Sequence, residues 1–226
     1  MPGLSTGKRN DMSKFAAARR NMVDCQLRTN EVTDPLVIAA MEELPREMFV
    51  PRARQGIAYV DEDLPVAAGR WLMEPLVLAR LVQALELTPE DTVLDIGCGT
   101  GYDAALLGRL AGSVVAVESD AALADLATAT LSHLACDNVA VVTSPMEQGY
   151  PVQAPYDVVF IGGAVAAVPD AIVAQLTPHG RMAVVVRESE GIPGRAWFYR
   201  KNAGRVSGRP IFDCGIPFLS GFEPHE

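Results

Sequence analysis

Two acidic residues and a glycine-rich turn are the part of this sequence best suited to bind a ligand. Asp95 lies near the end of an apolar run and is followed by Gly97, Gly99 and Gly101, whereas Glu118 ends the next apolar run. Glycines let the backbone turn sharply and approach a ligand with no Cβ in between. The Asp95 carboxylate would attract an ammonium group and repel a pyrophosphate, and Glu118 can accept hydrogen bonds from both hydroxyls of a ribose. This combination predicts a ligand with an amino-acid end and a ribose end, which is S-adenosylmethionine (SAM).

Two other interpretations of the glycine turn stay open from these residues alone. Many doubly wound folds bind nucleotides at such a turn, and the turn can also be purely structural. A dinucleotide site favours glycine at the last position of G-x-G-x-x-G, and that position holds Tyr102 here. Cys98 lies inside the turn and is expected either to touch the ligand or to fill space as a small apolar side chain.

Alternating strands and helices are predicted from residue 92 onward, and they position both acids. Continuous apolar strands separated by helices are typical of a parallel sheet that is covered on both faces. Two later extended runs around a glycine-rich turn predict an antiparallel pair at the sheet edge. Before the sheet, an Asp-Pro and a Glu-Pro pair each begin a predicted helix. The predicted strands are 92–96, 114–117, 139–143, 157–161, 182–186, 196–201 and 210–218, and the predicted helices are 35–44, 74–87, 102–111, 120–134 and 169–176.

Composition excludes several classes of protein. The chain has 226 residues, of which 49% are hydrophobic and 21% charged, and this is ample for a packed core. The net charge of −9 disfavours a general nucleic-acid binder. No apolar run is long enough to span a bilayer, and the N-terminus lacks the apolar segment of a secretory signal. The four cysteines are scattered and the three histidines isolated, so we expect no disulfide framework, no metal site and a cytoplasmic location.

Specific segments outside the glycine turn resemble one enzyme family. From about Arg19 to Leu219 the chain is similar to the protein-L-isoaspartate (D-aspartate) O-methyltransferases, and generic methyltransferases do not share the N-terminal segments. The resemblance rests on residues 22–27, 34–35, 40–41, 44–51, 58–61, 64–65, 93–102 and 156–169. It implies a Rossmann-like class I SAM-dependent methyltransferase of the α/β class, with a mostly parallel sheet, an antiparallel C-terminal edge and an N-terminal helical extension.

The resemblance also implies an activity and a set of site residues. Members of the family transfer a methyl group from SAM to the α-carboxylate of isoaspartyl residues in aged proteins, so the expected partner is an isoaspartyl protein or peptide. The expected cofactor-binding residues are Asp95, Gly97, Cys98, Gly99, Gly101, Glu118, Ser119 and Met146. The expected domains are a flexible tail over 1–18 and one methyltransferase domain over 19–226, with a helical and substrate-loop region at 19–91 and the cofactor-binding core at 92–226.

The substrate loop departs from the family pattern. The family reads Gly-x-Thr-Ile-Ser-x-Pro there, with the serine hydroxyl beside the reacting carboxylate, whereas residues 69–75 read Gly-Arg-Trp-Leu-Met-Glu-Pro. The expected substrate residues are therefore Trp71, Leu72, Met73 and Glu74, with Met73 at the serine position and no catalytic residue assigned. A thioether cannot donate a hydrogen bond. Smaller departures occur at 144–145, 162–164 and 213–215.

Three hypotheses remain open at this point. The chain is an isoaspartyl carboxyl methyltransferase, or a methyltransferase that uses the same fold on another acceptor, or a SAM-binding protein without catalytic activity. Cofactor binding and methyl turnover separate the first two from the third. An isoaspartyl peptide, assayed beside its aspartyl isomer, separates the first from the second.

Overall fold

A computed structural model of the chain describes residues 6–224, with side chains from residue 13 onward. Six α-helices and nine strands are connected by short π and 3₁₀ turns in this part of the chain. The helices are α1 (Thr6–Met22), α2 (Pro35–Glu43), α3 (Pro75–Leu85), α4 (Tyr102–Leu110), α5 (Ala121–His133) and α6 (Asp170–Ala174). The strands are β1 (Leu64–Ala67), β2 (Arg70–Leu72), β3 (Thr92–Ile96), β4 (Ser113–Glu118), β5 (Val139–Thr143), β6 (Tyr156–Val165), β7 (Leu176–Val186), β8 (Gly194–Asn202) and β9 (Arg205–Cys214).

Seven strands form one sheet in the order β5-β4-β3-β6-β7-β8-β9. The first five are parallel to their neighbours, and β8 and β9 add to β7 as an antiparallel pair. The central strands are buried on both faces, which is why most of their residues are apolar. The predicted α/β class, the parallel sheet and the antiparallel C-terminal edge are confirmed.

Helices cover the two faces of this sheet and give two apolar cores. The larger core joins α2, α3 and α4 to one face, and it includes Met41, Leu78 and Phe160. The smaller core lies on the opposite face and includes Ile96, Val159 and Ile172. The N-terminal helices thus belong to the same packed unit as the sheet.

Strand order reverses at β3, whose neighbours are β4 on one side and β6 on the other. β4 follows β3 through α4, whereas β6 reaches the other edge of β3 only after β5 has been formed. The connections from the carboxyl ends of β3 and β6 therefore run away from each other and leave a crevice, which is where open α/β sheets bind ligands. The predicted glycine turn follows β3 directly, so it lies at this crevice.

A small antiparallel hairpin, β1–β2, separates the N-terminal helices from the sheet. Leu64 pairs with Leu72, and the ladder is irregular between Pro65 and Ala67. Gly69 makes the turn with a φ of +65°, a conformation that glycine adopts without strain. The sequence predicted only irregular or short extended structure here, and this hairpin carries the substrate loop.

The structure differs from the sequence-based prediction at the N-terminus. α1 begins at Thr6, inside the segment predicted as a flexible tail over 1–18. The first five residues of that tail lie outside the described part of the chain. The last turn of α1 carries Arg19, which donates to the Glu43 carbonyl at 2.8 Å and so fixes the helix to the end of α2.

Candidate active site

The glycine turn after β3 is held against the next strand by its own backbone. The amides of Gly97 and Cys98 donate to the Val117 carbonyl at 2.9 and 3.2 Å. Gly97 has a φ of +83°, and a Cβ there would approach Leu219 to 2.7 Å. A larger residue at this position would therefore be strained by its backbone and blocked by the C-terminal segment.

The Asp95 side chain is the least satisfied polar group of the site. It is fully buried at the carboxyl end of β3, and neither carboxylate oxygen has a hydrogen-bond partner within residues 13–224. Burial raises the pKa of Asp95 well above its usual value, and the nearby Asp103 and Glu118 raise it further. Burial likewise raises the pKa of Asp103 to about 7, although Arg46 opposes this shift. A buried acid without a partner is costly unless a cation or donor arrives to pair with it.

Glu118 ends β4 and is also fully buried, but its carboxylate is saturated with donors. The Arg70 guanidinium donates from Nη2 to Oε1 at 2.8 Å and from Nε to Oε2 at 3.0 Å. The backbone amides of Gly99, Ser119 and Asp120 donate to the same carboxylate at 3.1, 2.8 and 2.9 Å. The acid predicted to accept from a ribose is thus engaged in an internal ion pair.

Arg70 also reaches the other residues expected on this side of the cofactor. Its Nη2 donates to the Ser119 hydroxyl at 2.9 Å and lies 3.6 Å from the Met146 sulfur. Its Nη1 donates to the carbonyl of Gly69 at 3.0 Å, which stabilises the hairpin turn. Sequence reasoning missed Arg70 because it stands at an unspecified position of the family's loop pattern. The signal available in the sequence was the charge of Arg70 itself. The loop contains an arginine, and the residue predicted to bind the ribose, Glu118, is an acid with which an arginine can pair.

This ion pair changes what a substitution at Glu118 would report. Glu118→Ala is the substitution that would test the predicted contact with the ribose. In the structure that change would leave the Arg70 guanidinium buried without its counter-ion, and such a loss destabilises proteins by about 3–5 kcal/mol. Weaker cofactor binding by this variant would therefore reflect a loss of stability as well as a lost contact.

The substrate loop faces the glycine turn across a narrow cavity of about 10 Å³. Trp71 and Met73 line it from the loop, and Gly97, Gly162 and Gly163 line it from the sheet. Residues 216–219 of the C-terminal segment close the remaining side. Sites for small organic ligands usually measure about 300–1,000 Å³, so a cofactor can enter only if side chains move.

The four residues expected to contact substrate have different environments. Met73 is buried, whereas Trp71 keeps 41% of its surface exposed at the mouth of the cavity. Leu72 is buried in the core and does not line the cavity. The backbone amide of Glu74 donates to the Asp63 carboxylate at 2.9 Å. Burial raises the pKa of Glu74 to about 7, and that of Asp63 to about 6.

Two further glycine-turn residues contribute mainly to packing. A Cβ at Gly101 would contact Ala127 and Leu131 of α5 at 3.2 and 3.3 Å, so this glycine permits the close approach of α4 and α5. Cys98 is buried within the larger core, and burial raises its pKa well above the usual value. The side chain of Cys98 is therefore a small, neutral filler next to the turn.

Within the described residues, no group of three or more histidine, cysteine or acidic side chains is placed to hold a metal ion. Over the same part of the chain, no helix combines the length and the apolar character needed to cross a membrane.

The carboxylates and the backbone of this site suit SAM, although the cavity is too small to admit it unless side chains move. Asp95 offers an unpaired buried carboxylate to an ammonium group, the glycine turn offers backbone approach, and Glu118 offers a carboxylate beside the same turn. A seven-stranded sheet of this order with a ligand crevice after β3 and an acid at the end of β4 defines a class I SAM-dependent methyltransferase.

Comparison with known proteins identifies the family within this class. The family model for protein-L-isoaspartate (D-aspartate) O-methyltransferase matches residues 18–214, and the chain belongs to that family. A protein-L-isoaspartate O-methyltransferase of Koribacter versatilis is 39% identical over 219 residues, covering 95% of this chain and 97% of the relative. One of Methanoculleus marisnigri is 36% identical over 207 residues, covering 90% and 92%.

Solved structures agree with this assignment. A protein-L-isoaspartate O-methyltransferase structure is 26% identical with a TM-score of 0.78, covering 91% of this chain and 67% of that one. A Plasmodium falciparum structure in complex with S-adenosyl-L-homocysteine (SAH) is 17% identical with a TM-score of 0.73, covering 91% and 98%. At that identity the second likeness supports the fold alone.

Proposed function

We propose that this protein is a SAM-dependent carboxyl methyltransferase that acts on isoaspartyl residues of proteins. The observation that carries the cofactor part is Asp95, whose buried carboxylate is unpaired within the described chain and lies beside the glycine turn. An ammonium group would pair with it and lower its pKa from the raised value. Membership of the protein-L-isoaspartate O-methyltransferase family supports the acceptor.

The reaction asks for positioning more than for acid–base catalysis. SAM, when bound, would supply a methyl group on a positively charged sulfur: an oxygen–carbon bond to the acceptor carboxylate would form as the carbon–sulfur bond breaks, with neutral SAH as the leaving group. An acceptor carboxylate is ionised near neutral pH and needs no base, so the protein must align it and keep water away. Trp71 and Met73 line the cavity on the loop side, and we assign them to the acceptor. Gly97 and Gly163 line the opposite wall, and the Leu219 side chain packs against both.

We assign cofactor binding to Asp95, Gly97, Gly99, Glu118, Ser119 and Met146. Asp95 holds the amino-acid end, and Glu118 and Ser119 hold the ribose. Cys98 and Gly101 support the turn by packing. This assignment is supported by the clustering of these residues at the carboxyl ends of β3, β4 and β5.

The decisive experiment measures methyl transfer from radiolabelled SAM to an isoaspartyl peptide and to its aspartyl isomer. We expect esterification of the isoaspartyl peptide only. Asp95→Asn should abolish SAH binding and transfer, and it should not destabilise the fold because no hydrogen bond is lost. Asp125→Asn on the exposed face of α5 removes the same charge elsewhere and should leave both properties unchanged. SAH binding that Asp95→Asn does not alter contradicts the assignment.

A second acceptor is favoured by the composition of the loop. Trp71 and Met73 replace two hydroxyl side chains of the family pattern, so the cavity wall beside the acceptor is apolar. If SAM binds and the isoaspartyl peptide is not esterified, a methyltransferase acting on another acceptor takes precedence. The cytoplasmic location and the absence of a nucleic-acid partner remain proposals, supported by four free cysteines and by the net charge of −9.

A further inference from the structure

The Arg70 side chain occupies the position at Glu118 that the proposed function gives to the ribose. Nε and Nη2 of the guanidinium both contact the carboxylate, with a shortest distance of 2.8 Å. Side-chain exposure is 6% for Arg70 and 0% for Glu118, so water does not screen the pair. Arg70 also contacts Ser119 and Met146, which are two further residues assigned to the cofactor.

One carboxylate cannot serve Arg70 and a ribose at the same time. A carboxylate has about four lone-pair positions. Here they receive three backbone amides, from Gly99, Ser119 and Asp120, together with two nitrogens of Arg70. The amides belong to the turn and to the end of β4, and they do not leave without unfolding. Among the described residues, two side-chain donors can give way to ribose hydroxyls: the guanidinium, and the Ser119 hydroxyl, which contacts Oε1 only at 3.5 Å. The guanidinium is the closer of the two and the one that carries charge.

The β1–β2 hairpin holds Arg70 in this position. Leu72, two residues later, is buried and pairs with Leu64, and the Gly69 carbonyl accepts from Arg70 Nη1. On the other side of the turn, the Ser220 hydroxyl donates to the same carbonyl at 3.3 Å. Rotation of the side chain out of the site therefore breaks several contacts. The free energy needed to move the Arg70 side chain away from Glu118 must be offset by cofactor binding.

We propose that Arg70 determines the cofactor affinity of this protein by competing with the SAM ribose for Glu118. The inference rests on the proposed function, because it needs Glu118 to be the ribose ligand. Cofactor binding displaces the guanidinium and opens the cavity between the loop and the glycine turn. The residue at position 70 is then a specificity-determining residue for the cofactor, and the same loop also carries Trp71 and Met73 toward the acceptor.

The test compares SAH affinity among variants of the whole protein by calorimetry. Arg70→Gln removes the charge and keeps a side chain of moderate length, whereas Arg70→Lys keeps the charge and loses the two-point contact. Arg195→Gln is the matched control, since Arg195 forms an exposed ion pair of 2.7 Å with Asp213 on the edge hairpin. We expect Arg70→Gln to bind SAH at least about ten-fold more tightly than the natural protein, Arg70→Lys to be intermediate, and Arg195→Gln to be unchanged.

Thermal unfolding without ligand separates competition from a general change in the fold. Arg70→Gln should melt at a lower temperature, because the buried Glu118 loses its counter-ion, and yet should bind SAH more tightly. Lower stability with higher affinity is the signature of a side chain that occupies the ligand's position. If Arg70→Gln does not fold, the Arg70→Lys variant decides the same question.

Fluorescence reports the displacement directly. The chain has two tryptophans, so Trp197→Phe leaves Trp71, the neighbour of Arg70, as the single emitter. Addition of SAH should shift the emission of Trp71 strongly in the Trp197→Phe variant. The shift should be weak in the variant that combines Trp197→Phe with Arg70→Gln. Equal SAH affinities for the natural protein and both Arg70 variants overturn the competition and leave the proposed function intact. No SAH binding by the natural protein or by any variant overturns the proposed function, and the competition falls with it.

Discussion

Asp95 and Glu118 end adjacent parallel strands, and the structure treats their carboxylates in opposite ways. Both side chains are fully buried. Glu118 receives donors from Arg70 and from three backbone amides, whereas neither oxygen of Asp95 has a partner among the described residues. The ligand-free site thus has one acid stabilised by an internal cation and another without a partner among the described residues. The predictions below follow from this asymmetry and from the loop beside it.

SAH binding should be coupled to proton release from Asp95. Burial is the main cause of the raised pKa of Asp95 in the ligand-free protein, so this carboxyl holds its proton more tightly than an exposed one. An ammonium group favours the ionised form and lowers that pKa, so affinity should rise as the pH rises through the ligand-free value. Calorimetry in buffers of different ionisation enthalpy measures the release. Asp125→Asn is the control and should show the same buffer dependence as the natural protein. A binding enthalpy that does not depend on the buffer would count against this coupling.

Glu118→Ala should lower the free energy of unfolding by about 3–5 kcal/mol, because it leaves Arg70 buried and unpaired. Urea denaturation of the ligand-free protein measures the loss. Combining Glu118→Gln with Arg70→Gln gives a neutral pair, and this double variant should be less destabilised than the sum of its single variants. Strict additivity would show that the two side chains are not coupled in solution.

Restoring hydroxyls to the loop should increase turnover on an isoaspartyl peptide. Trp71→Thr with Met73→Ser returns a donor beside the acceptor carboxylate, and a hydrogen bond to a charged group corresponds to about a ten-fold gain in rate or more. The assay measures methyl ester formation at saturating SAM. The remote change Trp197→Phe serves as the control.

The loop variants should also lower the free energy of unfolding, and the activity assay must take this loss into account. Met73 is 1% exposed, and truncation of such a side chain costs about 2–5 kcal/mol. Trp71→Thr alone should cost much less, since Trp71 is 41% exposed. If the natural protein already turns over as fast as the double variant, the loop departure has no effect on catalysis.

The contribution of Glu74 to stability should fall as the pH rises from about 4 to 8. Burial is the first cause of its raised pKa of about 7, and Asp63 and Asp61 add repulsion. The folded state therefore holds the proton more tightly than the unfolded state, and this contribution is lost as the pH passes about 7. Glu74→Gln should stabilise the protein at pH 8 by up to about 1 kcal/mol after solvent screening is allowed for, with no gain at pH 4.

Urea denaturation at the two pH values tests this prediction. Glu90→Gln removes a carboxylate from the exposed loop before β3 and provides the control. A gain for Glu74→Gln that is equal at both pH values would point to a change in packing or in the start of α3, and would contradict the electrostatic cause.

The elements of the fold could be predicted where local pattern and tertiary environment agree. Asp34 and Asp120 were expected to begin helices, and each accepts hydrogen bonds from two amides of the following turn. The apolar run at 92–96 became β3 with the same bounds, because a strand buried on both faces allows few polar residues. β6 and β7 are longer than predicted, since pairing extends them beyond their most apolar residues.

The sequence by itself determined the family, the sheet and the acids at the ends of β3 and β4, because these follow from residue type and from spacing along the chain. It could not determine what those acids touch. Arg70 and Glu118 are 48 positions apart, and only the hairpin turn at Gly69 brings the guanidinium across the crevice to the carboxylate. Whether a buried acid is paired depends on the three-dimensional arrangement of donors around it. The tertiary structure therefore decided that Glu118 is occupied and that Asp95 has no hydrogen-bond partner among the described residues.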